Sequence, residues 1–263
     1  ISYDGDNCHV YTNGAFETVA ATDGQTINSQ TLLIGDGNPS FYDFHMNGKI
    51  DDVRVYNRAL SEAEMNQIYN EGASSQVNVD TIGGNLENGL AGHWSFDGPD
   101  FTDKIYNSAS STSYGTFTGS PTSSAKVIGK VGQGIRFDGD DYVEVQNSSS
   151  SFAFSDDIFT VSAWIKPELL NGVEQTLIRK NCYYFSLIIS AGGFDRTRLE
   201  VRDTGGFKQV YSNSYILEED AWAHVVGVHD GSYIHMYVNG EYHNSTATTG
   251  DIEDDAGSCG PQG

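Results

Sequence analysis

Short runs in which apolar and polar residues alternate recur along most of the chain. Each run is bounded by Gly, Asn or Asp, and a period of two is typical of strands with one buried face. Many such strands with a single short helix predict an antiparallel all-β architecture. The clearest runs are residues 9–14, 31–35, 50–57, 134–139, 142–145, 159–167, 184–190, 198–203 and 223–231.

One helix is well marked, and it lies a quarter of the way along the chain. Ser61, followed three residues later by Glu64, predicts a capping box, and Gly72 predicts the end of the helix. The stretch 73–88 is rich in Ser, Gln, Asn and Gly, which is typical of a linker. The apolar stripe at helical spacing consists of Met65, Ile68 and Tyr69.

An internal repeat changes how these elements are grouped. Residues 3–14 match residues 229–240 without a gap at an offset of 226 residues, with six identities in twelve positions. We therefore predict that residues 1–72 are the C-terminal part of one unit. Residues 89–263 are then the larger, N-terminal part of a second unit that lacks its closing strands, as in a tandem array.

The net charge limits the binding partners of the chain, and its cysteine content limits the disulfides. The formal charge of −22, from 36 acidic and 14 basic residues, repels nucleic acid and anionic membrane surfaces, although such a surface can also simply keep a protein soluble. The chain contains no apolar run of 18 residues, so we predict no membrane insertion. Cys182 and Cys259 are one pairing open to three cysteines in an oxidising compartment.

Five motifs are spaced along the chain, at residues 89–98, 129–145, 159–168, 222–240 and 48–65. Allowing for the displaced first segment, they resemble in order the motifs of bacterial laminin-G-like domains, which belong to the concanavalin A-like lectin and glucanase superfamily. The resemblance implies a jelly-roll sandwich of two antiparallel sheets, with the strand that contains IDDVRVY beside the first strand of the domain. It also implies a secreted or cell-surface protein that often binds Ca²⁺ and serves as a glycan-binding, adhesive or spacer module.

The order of these motifs departs from the family pattern, because a closing segment comes first. Residues 1–72 either complete residues 89–263 in the same chain, or complete a neighbouring molecule, or belong to a polypeptide that continues beyond both ends. The second copy of one hairpin, residues 1–24 against 227–250, weakens simple permutation, because one sandwich has room for one such hairpin. A longer repetitive polypeptide or a head-to-tail assembly is therefore favoured.

A calcium site is the first chemical hypothesis. Hard cations take oxygen ligands, and the resemblance brings two acidic segments together. Asp51 alternates with Val53 and Val55, so we expect it to point inward, where a carboxylate needs a partner. That partner is Ca²⁺, or else backbone N–H groups or an arginine. The predicted metal ligands are Asp97, Asp103, Asp51 and Asp52.

Catalysis is not supported by any motif. A glucanase of this superfamily would show paired carboxylates in a Glu-x-Asp-x-x-Glu strand, and the sequence has none. It also lacks a Gly-x-Ser-x-Gly elbow and a His-Glu-x-x-His helix. We therefore predict that the protein is not an enzyme.

Glycan binding is the second hypothesis, since aromatic faces with nearby arginines hold sugars. The alternative is that these aromatic residues belong to the core. Two Asn-x-Ser/Thr triplets predict glycosylation at Asn147 and Asn244. The predicted ligand-binding residues are Tyr183, Tyr184, Arg179, Arg202 and Tyr211, with Phe207 and Tyr215 as further members of the same face.

The sequence therefore predicts a non-catalytic, extracellular adhesion or glycan-binding repeat module with a structural calcium ion. Its partners would be glycans, cell-surface proteins or copies of itself. The alternative is a structural subunit of an extracellular filament or surface layer, assembled by strand complementation. A third hypothesis is the ancillary part of a larger carbohydrate-active enzyme.

Overall fold

A computed structural model describes most of the chain. The N-terminal strands are described by their backbone, and no described helix is long and apolar enough to cross a membrane. Cys182, Cys259, Asp103, Tyr183 and Asn147 lie outside the described residues. The described residues are 2–3, 8–12, 15–19, 32–36, 45–73, 86–97, 104–110, 113–119, 125–145, 152, 154, 157–180, 184–190 and 192–252.

The secondary structure of the described residues is almost entirely β, with one helix, α1 (Glu62–Ala73). Strands of the first half are β1 (Ser2–Tyr3), β2 (Cys8–Thr12), β3 (Ala15–Val19), β4 (Leu32–Ile34), β5 (Asn47–Tyr56), β6 (Leu90–Trp94), β7 (Gly115–Thr118), β8 (Lys126–Ile128), β9 (Gln133–Asp138) and β10 (Tyr142–Val145). Strands of the second half are β11 (Phe159–Pro167), β12 (Gln175–Lys180), β13 (Phe185–Ile189), β14 (Thr197–Asp203), β15 (Gly206–Tyr211), β16 (Ala223–His229), β17 (Tyr233–Val238) and β18 (Glu241–Ala247).

Two antiparallel sheets form a sandwich, which confirms the predicted fold class. A seven-stranded sheet has the order β15-β14-β13-β12-β4-β10-β7. An eight-stranded sheet has the order β18-β17-β16-β11-β5-β9-β8, with β6 also paired to β5. Large apolar side chains from both sheets fill the space between them, and they include Trp94, Phe137, Phe152, Phe159 and Phe185.

The early segment of the chain closes this sandwich. Strand β5 lies between β11 and β9, and β4 lies between β12 and β10. Val53 pairs with Trp94, so the strand containing IDDVRVY lies beside the first strand of the larger part, as the resemblance implies. In this single chain, residues 32–73 therefore occupy the closing position for residues 90–252. That two repeat units meet in the chain stays a prediction.

Helix α1 packs on the outer face of the eight-stranded sheet. The capping box is confirmed: the backbone N–H of Ser61 donates to Glu64 Oε2 (2.9 Å) and that of Glu64 donates to Ser61 Oγ (3.4 Å). The helix runs to Ala73, one residue past the predicted stop, because Gly72 serves close packing instead. A Cβ at Gly72 would overlap the indole of Trp164. The buried cluster between the helix and the sheet consists of Met65 and Ile68 of the helix with Tyr56, Leu60, Val226 and Val228.

A separate three-stranded sheet, β1-β2-β3, repeats part of this sandwich in its strand pairing. Ser2 pairs with His9, and 226 residues later Val228 pairs with His235. Other pairs keep the offset: Tyr3–Cys8 with His229–Ile234, Tyr11–Phe16 with Tyr237–Tyr242, and Thr12–Ala15 with Val238–Glu241. The sequence repeat is therefore also a repeat of the β16-β17-β18 ladder.

Candidate ligand-binding face

The two sheets present different outer surfaces. Helix α1 packs on the eight-stranded sheet, whereas the seven-stranded sheet presents charged, amide and aromatic side chains on its outer side. Strand β14 shows the alternation: Leu199 and Val201 enter the core, so Arg198, Glu200 and Arg202 point away from it.

The register of β12 to β15 aligns these outward side chains. Arg179 pairs with Ser186, which pairs with Glu200, and Glu200 pairs with Gln209. Directly paired residues lie on the same side of an antiparallel sheet. By this criterion the outer face of the seven-stranded sheet contains Arg179, Ser186, Arg198, Glu200, Arg202, Phe207, Gln209 and Tyr211.

Three of the five predicted ligand-binding residues share this face: Arg179, Arg202 and Tyr211. Tyr184 does not, since it is 4% exposed in the core and its hydroxyl donates to Asp157 Oδ1 (2.9 Å). It immediately precedes β13, and its ring lies 6.1 Å from that of Phe159 at the end of the sandwich. The ligand-binding role of the predicted residues stays a prediction.

A hydrogen-bonded network orders the middle of the face. Arg198 pairs with Glu174 (2.9 Å) and Glu200 (3.4 Å). Gln209 Nε2 donates to Glu200, and the Tyr211 hydroxyl donates to Gln209 Oε1 (2.8 Å). Burial raises the pKa of Glu174. Glu174 and Glu200 thus neutralise Arg198, and Glu200 positions the Tyr211 hydroxyl through Gln209.

An aromatic–arginine cluster, consisting of Phe194, Arg196, Tyr211 and Tyr215, lies at the end of this face. The guanidinium of Arg196 lies over the rings of Tyr211 (4.2 Å to the centroid) and Phe194 (4.7 Å). Ring centroids of Phe194 and Tyr215 are 6.4 Å apart, and these residues are 43% and 68% exposed. The exposed ring of Phe194 therefore contacts Arg196 on one side and the exposed ring of Tyr215 on another.

Backbone hydrogen bonds join the two loops that carry these exposed rings. The N–H of Tyr215 donates to Phe194 O (2.6 Å), and the N–H of Leu217 donates to Asp195 O (3.0 Å). Asp195 (φ 44°) and Tyr215 (φ 59°) both have left-handed backbones, which are uncommon for residues other than glycine. Strained residues of this kind persist where the surroundings fix them, and they cluster at ligand sites.

Asp51 is buried as predicted, but it does not share a face with Val53. Trp164 pairs with Asp51 and Ser162 pairs with Arg54, so β5 has two residues where β11 has one. This β-bulge occurs at Asp52 (φ 48°) and reverses the alternation. The prediction of an inward Asp51 on the side of Val53 is therefore wrong, because a bulge cannot be seen in the pattern.

Backbone N–H groups surround the Asp51 carboxylate. Oδ2 accepts from Lys130 (2.7 Å) and Val131 (2.9 Å), and Oδ1 accepts from Asp52 (2.7 Å). Burial, aided by the charge of Asp52, raises the pKa of Asp51 to about 7, although the N–H groups oppose that rise. Of the partners that the sequence left open for Asp51, the structure therefore shows backbone N–H groups.

Asp52 and Asp97 also have protein donors. Asp52 pairs with Arg54 (3.0 Å) and with His93 Nε2 (2.6 Å). Burial raises the pKa of Asp52, but the hydrogen bond from His93 and the charge of Arg54 outweigh it and lower the pKa to about 2. Asp97 Oδ1 accepts the N–H of Gln133 (2.8 Å). These three carboxylates do not gather into one set of cation ligands.

A different acidic group is more compact. Asp138, Asp140 and Asp141 each offer an oxygen, and these atoms all lie within 4.8 Å of one another. Two of the three residues are exposed. Exposed acidic groups of this kind are common without an ion.

Comparison with known proteins gives one finding. A family model described as the concanavalin A-like lectin/glucanases superfamily, of laminin-G type, matches residues 1–66 and 137–259. The chain belongs to this laminin-G-like family. No curated protein and no solved structure matches it. Laminin-G-like domains are generally non-catalytic, typically extracellular binding modules for glycans or proteins, and they often bind calcium, although the superfamily includes glycosidases.

In this laminin-G-like chain, sequence reasoning missed Phe194 and Arg196. Both lie at the start of β14, and Arg196 falls on the outward phase of that strand together with Arg198 and Arg202. The dense arginine run DRTRLEVRD was a usable signal for a charged face. The contact of Tyr215 with Phe194 could not be predicted from the sequence, because it depends on two left-handed residues in separate loops.

Proposed function

We propose that this laminin-G-like chain is a non-catalytic extracellular module that binds a saccharide at the outer face of the seven-stranded sheet. The observation that carries the proposal is the aromatic–arginine cluster: Phe194 and Tyr215 are exposed rings held in place beside a stacked Arg196. The predicted residues Arg179, Arg202 and Tyr211 belong to the same surface.

The physical argument concerns the cost of exposed, ordered aromatic rings. An aromatic ring that stays exposed contributes no free energy of apolar burial to the fold. A left-handed backbone at a residue other than glycine in addition costs on the order of 1–3 kcal/mol. A sugar that stacks its C–H face on such rings recovers apolar burial, while nearby amides and guanidinium groups bond its hydroxyls. The fixed rings also lose little entropy on binding.

Glycan-array binding, followed by calorimetry on any hit, tests the proposal. We expect Tyr215→Ala to weaken binding by about tenfold or more, since burial of a large aromatic side chain contributes about 1.5–3 kcal/mol. Tyr106→Ala is the matched control, because Tyr106 is also exposed (71%) but lies beside β7, at the edge of the sheet opposite β14 and β15. A featureless array, or equal loss in both variants, would contradict the proposal.

The calcium role of Asp97, Asp103, Asp51 and Asp52 stays a prediction, and no step of the proposed binding depends on it. The described members do not fit an ion as they stand, because Asp52 is neutralised and the other two accept backbone N–H groups. The prediction requires that Ca²⁺ raise the thermal midpoint and that Asp97→Asn remove the rise. The contacts favour the other outcome, an equal midpoint in Ca²⁺ and in chelator.

A filament subunit is the second candidate function. The observation that favours it is the second copy of the β16-β17-β18 ladder in β1-β2-β3, which leaves that sheet outside the sandwich. A free three-stranded edge is a template for pairing with another chain. Concentration-dependent polymers in electron micrographs and in sedimentation would support this function, whereas a monomer at high concentration would contradict it.

Asn244 remains a predicted glycosylation residue. It is exposed on β18, and its side-chain oxygen accepts the N–H of Ser245 (2.9 Å). Asn147, the other predicted acceptor, lies outside the described residues. Mass spectrometry of the secreted protein before and after glycosidase treatment tests both.

A further inference from the structure

We infer that the saccharide bound at the aromatic–arginine cluster carries a carboxylate, and that Arg196 binds that carboxylate. This inference rests on the proposed function and names the chemical class of its ligand.

Positive charge is concentrated on one face of a very acidic chain. The formal charge is −22, yet four of the seven arginines lie on the outer face of the seven-stranded sheet or in the cluster at its end: Arg179, Arg196, Arg198 and Arg202. Within the network, Glu174 and Glu200 pair with Arg198. A third carboxylate, that of Glu144, shares the face, because Glu144 and Arg179 both pair with Leu33. Arginine is nevertheless enriched on this face of a chain with a net charge of −22, and an anionic ligand complements such a surface.

Arg196 is the cation best placed to meet that ligand. Among the residues that the structure describes, no carboxylate lies within ion-pair distance of its guanidinium, and its Nε is buried without a hydrogen-bond acceptor. Stacking on Phe194 and Tyr211 fixes the plane of the group. A fixed guanidinium offers paired N–H donors whose spacing matches a carboxylate.

The remaining features limit the ligand to a saccharide with few charges. The exposed rings of Phe194 and Tyr215 suit the C–H face of a sugar, and Arg196 lies next to Phe194. A dense polyanion would bring many charges near a chain of −22, and the repulsion would oppose binding. A sugar with one carboxylate gains the contact with Arg196 at a small cost in repulsion.

Calorimetry with three probes tests the inference on the full chain. The probes are a disaccharide that ends in glucuronic acid, its glucose-ended counterpart and dextran sulfate. We expect the glucuronic acid probe to bind about tenfold or more tightly than the neutral one, because hydrogen bonds between charged partners are stronger than those between neutral ones. Arg196→Gln should weaken binding of the acidic probe more than binding of the neutral one, so that the preference is lost, while Arg196→Lys should retain part of it.

Arg136→Gln is the matched control, because Arg136 lies on the other sheet, where it pairs with Glu168 (2.8 Å). Thermal unfolding checks that each variant is folded. Equal affinity for the acidic and neutral probes, with binding still lost in Tyr215→Ala, would overturn this inference and leave the proposed function standing. Preference for dextran sulfate would also overturn it. No binding of any saccharide would overturn both.

Discussion

His224 is a buried imidazole whose environment favours the neutral form. Its side chain is fully buried, its ring lies 5.2 Å from Trp164 and 6.3 Å from Tyr69, and within the described part of the chain neither ring nitrogen has a hydrogen-bond partner. Burial lowers the pKa of His224 to about 3, although the negative charge of Asp52 opposes this shift. The folded protein therefore excludes a proton that the unfolded chain binds.

The depressed pKa predicts a loss of stability in acid. The unfolded histidine has a pKa of about 6.5, so its contribution is fully present above that pH and is lost as the pH falls toward 3. The free energy of unfolding should fall by up to about 1.4 kcal/mol per pH unit from this residue alone. Urea titrations at pH 7, 5.5 and 4.5 measure the slope.

His224→Phe supplies the comparison for that slope. The variant keeps a flat ring beside Trp164 and Tyr69, but phenylalanine has no group that binds a proton between pH 3 and pH 7. We expect its stability to fall less than that of the parent chain between pH 6.5 and pH 4.5. Parallel curves for the two proteins would show that His224 does not exclude a proton.

At the scale of one element, helix α1 depends on close contact with the sheet below it. Gly72 faces the indole of Trp164, and Arg54 of β5 pairs with Glu71 of the helix (3.0 Å). The ring of Tyr69 also stacks on Trp164 at 5.6 Å. The last turn of the helix is therefore positioned by contacts that leave no space for a methyl group.

Gly72→Ala tests this contact, because helix propensity and packing predict opposite results. Alanine favours a helix by about 1 kcal/mol over glycine. The added Cβ, however, would overlap Trp164, and overpacking costs about 1–3 kcal/mol. We expect the free energy of unfolding to fall. Ala63→Gly at an exposed helix position is the control, and its loss of about 1 kcal/mol calibrates propensity alone. A stabilised Gly72→Ala variant would contradict the packing argument.

These elements show which features the sequence could predict. The capping box at Ser61 and Glu64 depends on residues three apart, so it was readable. The bulge at Asp52 depends on one left-handed residue, and it moved Asp51 to the other side of β5. Two of the three partners of the Asp51 carboxylate lie 79 and 80 residues away, in a turn that alternation does not describe.

The residues of the candidate site also differ in whether the sequence could predict their position. Arg179, Arg202 and Tyr211 lie on strands, where alternation and family order indicate a shared face. Tyr184 also lies next to a strand, but the turn before β13 sends its ring into the core. Phe194 and Tyr215 meet through loop hydrogen bonds between residues that are far apart in sequence. Local patterns carry no information about such contacts.

For the whole molecule, closure depends on which early strands join the sandwich. Strands β4 and β5 each lie between two strands of the later part of the chain, and β5 contributes Ile50, Val53 and Val55 to the core. By contrast, β1, β2 and β3 pair only with one another in the described structure. Because β1, β2 and β3 repeat the pairing of β16, β17 and β18, they correspond to positions in the sandwich that these later strands already occupy.

This difference predicts distinct effects of two truncations. Removal of residues 1–24 deletes β1 to β3 and leaves every described strand pair of the sandwich, so the thermal midpoint should change by less than about 2–4 °C, the effect of about 1 kcal/mol in a domain of this size.

Removal of residues 1–73 also deletes β4, β5 and α1. It exposes the core between β11 and β9, and we expect an insoluble or unfolded product. Co-expression of residues 25–73 as a separate chain should restore solubility, because the closing contacts are side-chain packing and strand pairing and require no covalent link. A folded 74–263 fragment would contradict internal closure. A large loss of stability on removing residues 1–24 would instead place the N-terminal sheet against the sandwich.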